Sequence, residues 1–70
     1  MKTVILDLLD ITNNNIEHIE NRYPAIREVI NQINTLLKNN PSNREILEWM
    51  LSNQDAIENI NECINSINKS

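Results

Sequence analysis

The sequence predicts an all-α protein, and three observations support that fold class. Apolar residues recur at alternating spacings of four and three along most of the chain. Strict alternation of apolar and polar residues, which is typical of half-buried strands, is nowhere sustained. The chain contains no glycine and only two prolines, whereas hairpin-rich β folds need many turns that contain glycine. We therefore expect helices that pack against other helices.

The first apolar series predicts helical structure over residues 3–22 and 24–39. In a helix this spacing places the side chains on one stripe, which is buried only against another helix. Nine of its ten positions are apolar, with Thr12 as the exception. The series consists of Ile5, Leu9, Thr12, Ile16, Ile19, Tyr23, Ile26, Ile30, Ile33 and Leu37.

Pro24 interrupts this first series. A proline in a helix interior costs about 3 kcal/mol, and here it removes the N–H that would bond to the Glu20 carbonyl. The helix is therefore either kinked at Pro24 with its stripe in phase, or broken near Arg22 and restarted at Pro24. A second weak point precedes it, where Asn14 and Glu17 offer a cap of their own.

The clearest boundary in the sequence is the segment that contains Pro41. Asn39 or Asn40 closes the preceding helix in the left-handed conformation, and Pro41 cannot continue it. Ser42 and Glu45 have the spacing of a capping box, which starts the next helix. Because the connection is short, we expect the next helix to run antiparallel to the preceding one.

The second apolar series predicts a third helix over residues 43–68. Its members are Ile46, Met50, Asn53, Ile57, Ile60, Ile64 and Ile67. Asn53, the polar member, either fixes register and oligomeric state or marks a point where two helices splay. A cap signal also lies at 52–55, and we expect it to be overridden because the stripe runs through it.

Two segments carry more apolar surface than a pair of helices can bury. Residues 4–11 are apolar around most of the helix circumference, and Trp49, Ala56 and Cys63 widen the stripe of the third helix. A 70-residue core is marginal, and a single cysteine forms no intrachain disulfide. We therefore predict one domain over 1–70, a helical hairpin or three-helix unit that completes a bundle as a homodimer. The expected dimer contacts are Ile5, Leu9, Ile16, Ile19, Tyr23, Ile57, Ile60, Ile64 and Ile67.

The charge pattern suggests a candidate partner-binding site. The net charge is −4, and the six basic residues form no cluster, so we do not expect a nucleic-acid partner. Glu48, Asp55 and Glu62 recur every seven residues, either as a docking stripe for a basic surface or as a solvated outer face. Trp49 flanks the apolar stripe of the third helix, and a core position and an interface position are equally good interpretations of it. We take these four residues as the candidate site.

No constellation in the sequence predicts catalysis. His18, the only histidine, is expected on the surface, and Cys63 is expected to be a buried inert thiol, with a redox role as the alternative. Tyr23 either fills the space at a kink or presents its hydroxyl to a partner. No glycine-rich phosphate loop, nucleophile–base pair or Cys/His cluster is present. We expect no enzymatic activity, cofactor or metal, and no motif indicates a family.

Elimination and composition lead to the functional hypotheses. No stretch reaches the roughly 18 apolar residues of a membrane span, and one unpaired cysteine suits the cytoplasm. Ile and Asn fill 26 of 70 positions, which indicates an AT-rich coding sequence of the kind found in phages and mobile elements. The leading hypothesis is a small non-enzymatic regulator or inhibitor of anti-defence, antirepressor, antitoxin or immunity type that binds a protein target. The alternatives are a self-associating coiled-coil assembly element and a helical nucleic-acid-binding protein.

Overall fold

The computed structural model describes residues 1–69, with side chains through Asn68. It confirms the all-α prediction, since this part of the chain forms five helices and no strand. In chain order, α1 spans Lys2–Asn14, α2 spans Ile16–Arg22, α3 spans Ile26–Lys38, α4 spans Asn43–Ser52 and α5 spans Gln54–Lys69.

The helices form three arms. The first arm is α1 and α2, the second is α3, and the third is α4 and α5. α1 contacts α3 and α4, whereas α2 contacts α3 and α5. Because α1 packs on α4 and α2 on α5, the first and third arms run in the same direction. α3, which connects them in sequence, runs in the opposite direction. The molecule measures 37 × 19 × 18 Å, a length that about 25 helical residues span.

The most deeply buried side chains of the first two arms recur every seven residues. Ile5, Thr12, Ile19, Ile26 and Ile33 are each 0% exposed. The residues four positions after each of them are half-buried, namely Leu9, Ile16, Tyr23, Ile30 and Leu37. Thr12 fits this row because its hydroxyl donates to the Leu8 carbonyl at 2.7 Å. Since a fully buried isoleucine stabilises the fold by roughly 1.5–3 kcal/mol, this row is the main apolar support of the first two arms.

The connection between α2 and α3 is built around Pro24. α2 ends at Arg22 and α3 begins at Ile26, two residues later than expected. Tyr23 has φ −138° and ψ 82°, outside the helical region, as steric contact with a following proline ring favours. Residues 23–25 therefore separate two helices, and the row of buried side chains keeps one phase across them.

The boundary between α3 and α4 follows the sequence closely. Asn40 has φ 49°, so an asparagine adopts the left-handed conformation after the helix, as predicted. The Ser42 hydroxyl accepts a hydrogen bond from the Glu45 N–H at 3.2 Å. In return the Ser42 N–H donates to the Glu45 carboxylate at 3.4 Å. The capping box is thus confirmed.

The expected continuity of the third helix is wrong. α4 ends at Ser52 and α5 begins at Gln54, so the apolar stripe does not keep the third helix continuous through 52–55. The Asn53 N–H bonds to the Met50 carbonyl at 3.2 Å, while its side-chain amide donates to the Trp49 carbonyl at 2.7 Å. An asparagine side chain that competes for a helix carbonyl in this way interrupts the regular ladder.

The first arm has a matching interruption at Asn15, next to the weak point that the sequence indicated. Its N–H bonds to the Thr12 carbonyl at 3.2 Å, and its side-chain amide donates to the Ile11 carbonyl at 2.9 Å. The cap proposed for Asn14 and Glu17 does not form, because Asn15 occupies the position that precedes α2 and makes no side-chain cap bond. The helix predicted over 3–22 is therefore two helices.

Candidate protein-interaction surface

The third arm is turned so that part of its apolar stripe reaches the surface. Ile46 and Ile60 are 0% exposed, and beside them Ala56 and Cys63 are 7% and 4% exposed. The other edge of the stripe is only half-buried, at Met50, Ile57 and Ile64. The arm thus directs the Ala56–Cys63 side toward the core and leaves the Met50–Ile57 side at the rim.

A mainly apolar groove lies along this rim, and we call it the α4–α5 groove. It encloses about 310 Å³ and is lined by Leu47, Met50, Leu51, Gln54, Ile57 and Glu58. Leu47 is 46% exposed, and Leu51, at 57%, is the most exposed large apolar side chain of the described residues. Exposed leucines are common one at a time, but here they share one groove with two further apolar side chains, Met50 and Ile57. Contiguous apolar surface of this kind is typical of protein-interaction sites.

Carboxylates border this groove on one side. Glu58 is part of its lining. Within α4 Glu48 precedes Leu51 by three residues, and within α5 Asp55 precedes Glu58 by three; residues at this spacing are neighbours on a helix surface. Glu62 continues the line one heptad beyond Asp55. All four carboxylates are exposed, and we call them the acidic border.

Few cations of the chain neutralise the acidic border. Arg44 approaches Glu48, with Nε 3.2 Å from Oε1, but their side chains are 88% and 65% exposed, and such surface pairs contribute little. Arg27 instead binds Glu20 across the α2–α3 connection, and that hydrogen bond together with the carboxylate charge raises the pKa of Arg27. Among side chains through Asn68, none forms an ion pair with Asp55, Glu58 or Glu62.

Trp49 lies in a different groove from the acidic residues with which it was predicted to act. It is half-buried and faces α3 across a depression of about 500 Å³. The lining consists of Glu28, Asn31, Gln32, Thr35, Leu36, Asn39 and Trp49. The Thr35 hydroxyl donates to the Asn31 carbonyl at 2.9 Å and the Asn39 amide to the Thr35 carbonyl at 3.2 Å. These two polar groups therefore already donate to carbonyls of α3, which leaves them less able to anchor a ligand.

Most of the residues predicted to contact a second subunit lie in or against the core of one chain. Ile5, Ile19 and Ile60 are 0% exposed. The remaining six are half-buried, namely Leu9, Ile16, Tyr23, Ile57, Ile64 and Ile67. A dimer contact through any of them stays a prediction.

The apolar surplus predicted at residues 4–11 is still visible at the surface. α1 contacts α2, α3 and α4, yet Val4, Leu6 and Ile11 are 52%, 43% and 42% exposed. Val4 and Ile11 lie seven residues apart on one flank of α1, whereas Leu6, two residues from Val4, lies on another flank. We call Val4 and Ile11 the α1 surface. It is a second apolar area, on a different arm from the α4–α5 groove.

The groups with reactive chemistry lie apart from both apolar areas. His18 is exposed and borders a depression of about 400 Å³ with residues 14–17. Cys63 is buried in the core, the position expected of an inert thiol. Within the described part of the chain, no three His, Cys, Asp or Glu side chains group as a metal site would require. None of the helices found there has the length and apolarity needed to cross a bilayer.

Comparison with known proteins finds no similarity to any protein family, curated protein or solved structure.

Sequence reasoning missed Leu47 and Leu51 as surface residues. The sequence does indicate that these two leucines lie beside the stripe, because each directly follows a stripe residue, Ile46 or Met50. Two apolar residues four positions apart beside an apolar stripe widen it on that side, just as Trp49 and Ala56 widen it on the other. Only the packing of the arms decides which of the two extensions is buried.

Proposed function

We propose that this chain is a small non-enzymatic regulator or inhibitor that binds a protein target through its helical surfaces. It acts in the cytoplasm, and in that of the host cell if a phage encodes it. Proteins of the anti-defence, antirepressor, antitoxin and immunity types work in this way.

The α4–α5 groove is the observation that carries this proposal. Its leucines are about half exposed although the chain already has a core of fully buried isoleucines, so the groove is surface that folding leaves uncovered. Exposed apolar area next to polar rim residues is the usual composition of a protein-binding patch. The groove also lies on helices rather than on a loop, so it presents its side chains in a fixed arrangement.

Affinity capture from host lysate, quantified by mass spectrometry, tests the proposal and the predicted site together. The test variant reverses the charge of Glu48, Asp55 and Glu62 to Lys and carries Trp49→Ala. We expect it to lose the protein that the wild type enriches. If it captures that protein as well as the wild type does, the predicted partner-binding site is wrong. If the wild type enriches no protein, the proposed function is wrong.

A matched control separates loss of the site from loss of acidity. Asp7, Asp10 and Glu17 are also exposed acids, on the first arm, and their reversal to Lys changes the net charge by the same amount. This control is expected to retain capture. Circular dichroism of each variant verifies that the helices remain, because Trp49 is half-buried.

A self-associating structural element is the second candidate function, and the α1 surface favours it. A stable dimer buries about 800 Å² on each partner, roughly a sixth of the 4832 Å² surface of this chain. The exposed Val4 and Ile11 would form the centre of such an interface. Light scattering across a range of concentrations decides the question. A dimer at every concentration that becomes a monomer on Val4→Gln with Ile11→Gln, and that captures no protein, favours this candidate.

A further inference from the structure

We propose that the α4–α5 groove binds a basic amphipathic helix of a partner protein, with its apolar face on Leu47, Met50 and Leu51 and its cations against the acidic border. The inference rests on the proposed function and adds to it the chemistry of the target. It is carried by the shape of the groove and by the charge beside it.

The groove has the form that a helix needs. α4 supplies Leu47, Met50 and Leu51, and α5 supplies Gln54, Ile57 and Glu58, so the lining extends across the interruption at Asn53. From its first to its last lining residue the groove covers eleven steps, or about 17 Å of helix. About three turns of a partner helix match that length. Apolar residues at spacings of three and four on that helix would contact the apolar lining of the groove.

The acidic border specifies the charge of that helix. Asp55 and Glu58 have no cation within the described side chains, and Glu48 has only the exposed contact with Arg44. A partner helix with Lys or Arg beside its apolar face places those cations next to these carboxylates. Complementary charges of this kind accelerate association and exclude acidic competitors.

A second copy of this chain fits the groove less well. The chain has a net charge of −4, so pairing two copies brings two negative molecules together. Of its basic residues, Arg27 and Arg44 already contact carboxylates of their own chain. A copy therefore brings few cations to the acidic border, and nucleic acid brings none.

The test uses synthetic peptides and the full chain. The probe is a fluorescein-labelled helical peptide of Leu and Lys, with Leu at spacings of three and four. The comparison peptide keeps every Leu and replaces each Lys with Glu. By fluorescence anisotropy, we expect the Lys peptide to bind at least about tenfold more tightly, a difference of about 1.4 kcal/mol, and to weaken as salt screens the charges. Equal binding of the two peptides would overturn the charge assignment.

Paired variants locate the binding site. Leu47→Gln with Leu51→Gln changes two exposed side chains, so the fold is retained, and about tenfold weaker binding of the Lys peptide is expected. Val4→Gln with Leu6→Gln is the matched control on α1 and is expected to leave binding unchanged. Asp55→Asn with Glu58→Gln should weaken the Lys peptide and flatten its salt dependence, whereas Asp7→Asn with Asp10→Asn should do neither. If the two leucine substitutions have no effect, or the α1 control has the larger effect, the groove is not the site.

Two further outcomes separate this inference from the proposed function. If the wild type is a dimer that the Leu47→Gln, Leu51→Gln variant converts to a monomer, the occupant is a second copy and the inference is overturned. If the Lys peptide binds as expected at the groove but no lysate protein is captured, the inference is supported and the proposed function is wrong.

Discussion

Asn15 and Asn53 adopt the same backbone conformation at the interruptions of the first and third arms. Asn15 has φ −122° and ψ 23°, and Asn53 has φ −123° and ψ 31°. Each side-chain amide donates to the carbonyl four residues earlier, at 2.9 and 2.7 Å. The same local bond therefore ends a helix in both arms, and the arms remain paired because α1 packs on α4 and α2 on α5.

Asn53→Asp tests whether this bond stabilises the fold. The carboxylate has the same shape but only accepts hydrogen bonds, so it faces the Trp49 carbonyl without a proton. We expect the free energy of unfolding in urea to fall by about 1–3 kcal/mol at neutral pH. The loss should shrink at acid pH, where the protonated carboxyl group donates again. Asn59→Asp, exposed on α5, adds the same charge, and an equal loss there would attribute the effect to charge alone.

Thr12→Val examines the one polar side chain of the fully buried row. The hydroxyl of Thr12 bonds to a carbonyl that also takes part in the helix ladder, so its removal leaves no buried group without a partner. The added methyl group lies in the core. We expect the free energy of unfolding in urea to stay the same or to rise by up to about 1 kcal/mol. Thr35 makes the same bond on an exposed surface, so Thr35→Val should show no gain; a gain of equal size there would contradict the core explanation.

Ile26→Ala and Ile33→Ala test the contribution of the row of buried side chains to stability. Each removes three carbon atoms from a fully buried position and leaves a cavity. We expect each to lower the free energy of unfolding by about 2–5 kcal/mol, a large part of the total stability of a small domain. The matched control is Ile11→Ala, where the side chain is 42% exposed. Circular dichroism during thermal unfolding should show a much smaller shift for this control.

Ser42→Ala removes the side-chain half of the capping box. A lost N-cap costs about 1 kcal/mol, and we expect that loss in the urea unfolding of the whole chain. Ser52, exposed at the end of α4, is not an N-cap, so Ser52→Ala should change stability much less. Equal effects of the two substitutions would show that the cap contributes nothing of its own.

The buried position of Cys63 predicts a slow thiol reaction. It is 4% exposed, so Ellman's reagent reaches it only when the third arm opens. The reaction rate should rise with urea in parallel with unfolding. A rate in the native protein equal to that of free glutathione would show that the thiol is accessible and would revive a redox role.

The apolar pattern predicted the first two arms well and the third less well. Ile5, Thr12, Ile19, Ile26 and Ile33 share one heptad position and are all fully buried, because the apolar series keeps one phase through both arms. The third arm has apolar residues on both flanks of its stripe, so periodicity alone does not fix its rotation. Contacts with the first two arms select the flank with Ala56 and Cys63.

The candidate site was predicted only in part, for the same reason. Glu48, Asp55 and Glu62 were expected on an outer face and are exposed. Their charge is enough to predict this, because burying an unpaired carboxylate is costly. The apolar groove beside them depends on the rotation of the arm and on the interruption at Asn53. There the Asn53 side chain donates a hydrogen bond to the Trp49 carbonyl, which interrupts the helix although the apolar spacing continues. The spacing of apolar residues carries no information about such a bond.

The parallel pairing of the first and third arms has a consequence for the order in which the chain assembles. The first arm and α3 pair through the short connection at 23–25, whereas α1 and α4 are far apart in the sequence, and closing the longer loop costs more entropy. We expect the third arm to dock last and to detach first, so that amide hydrogens of α4 and α5 exchange before those of α3. The α4–α5 groove then belongs to the most readily released part of the molecule, and a partner bound only to the docked arm would slow that release.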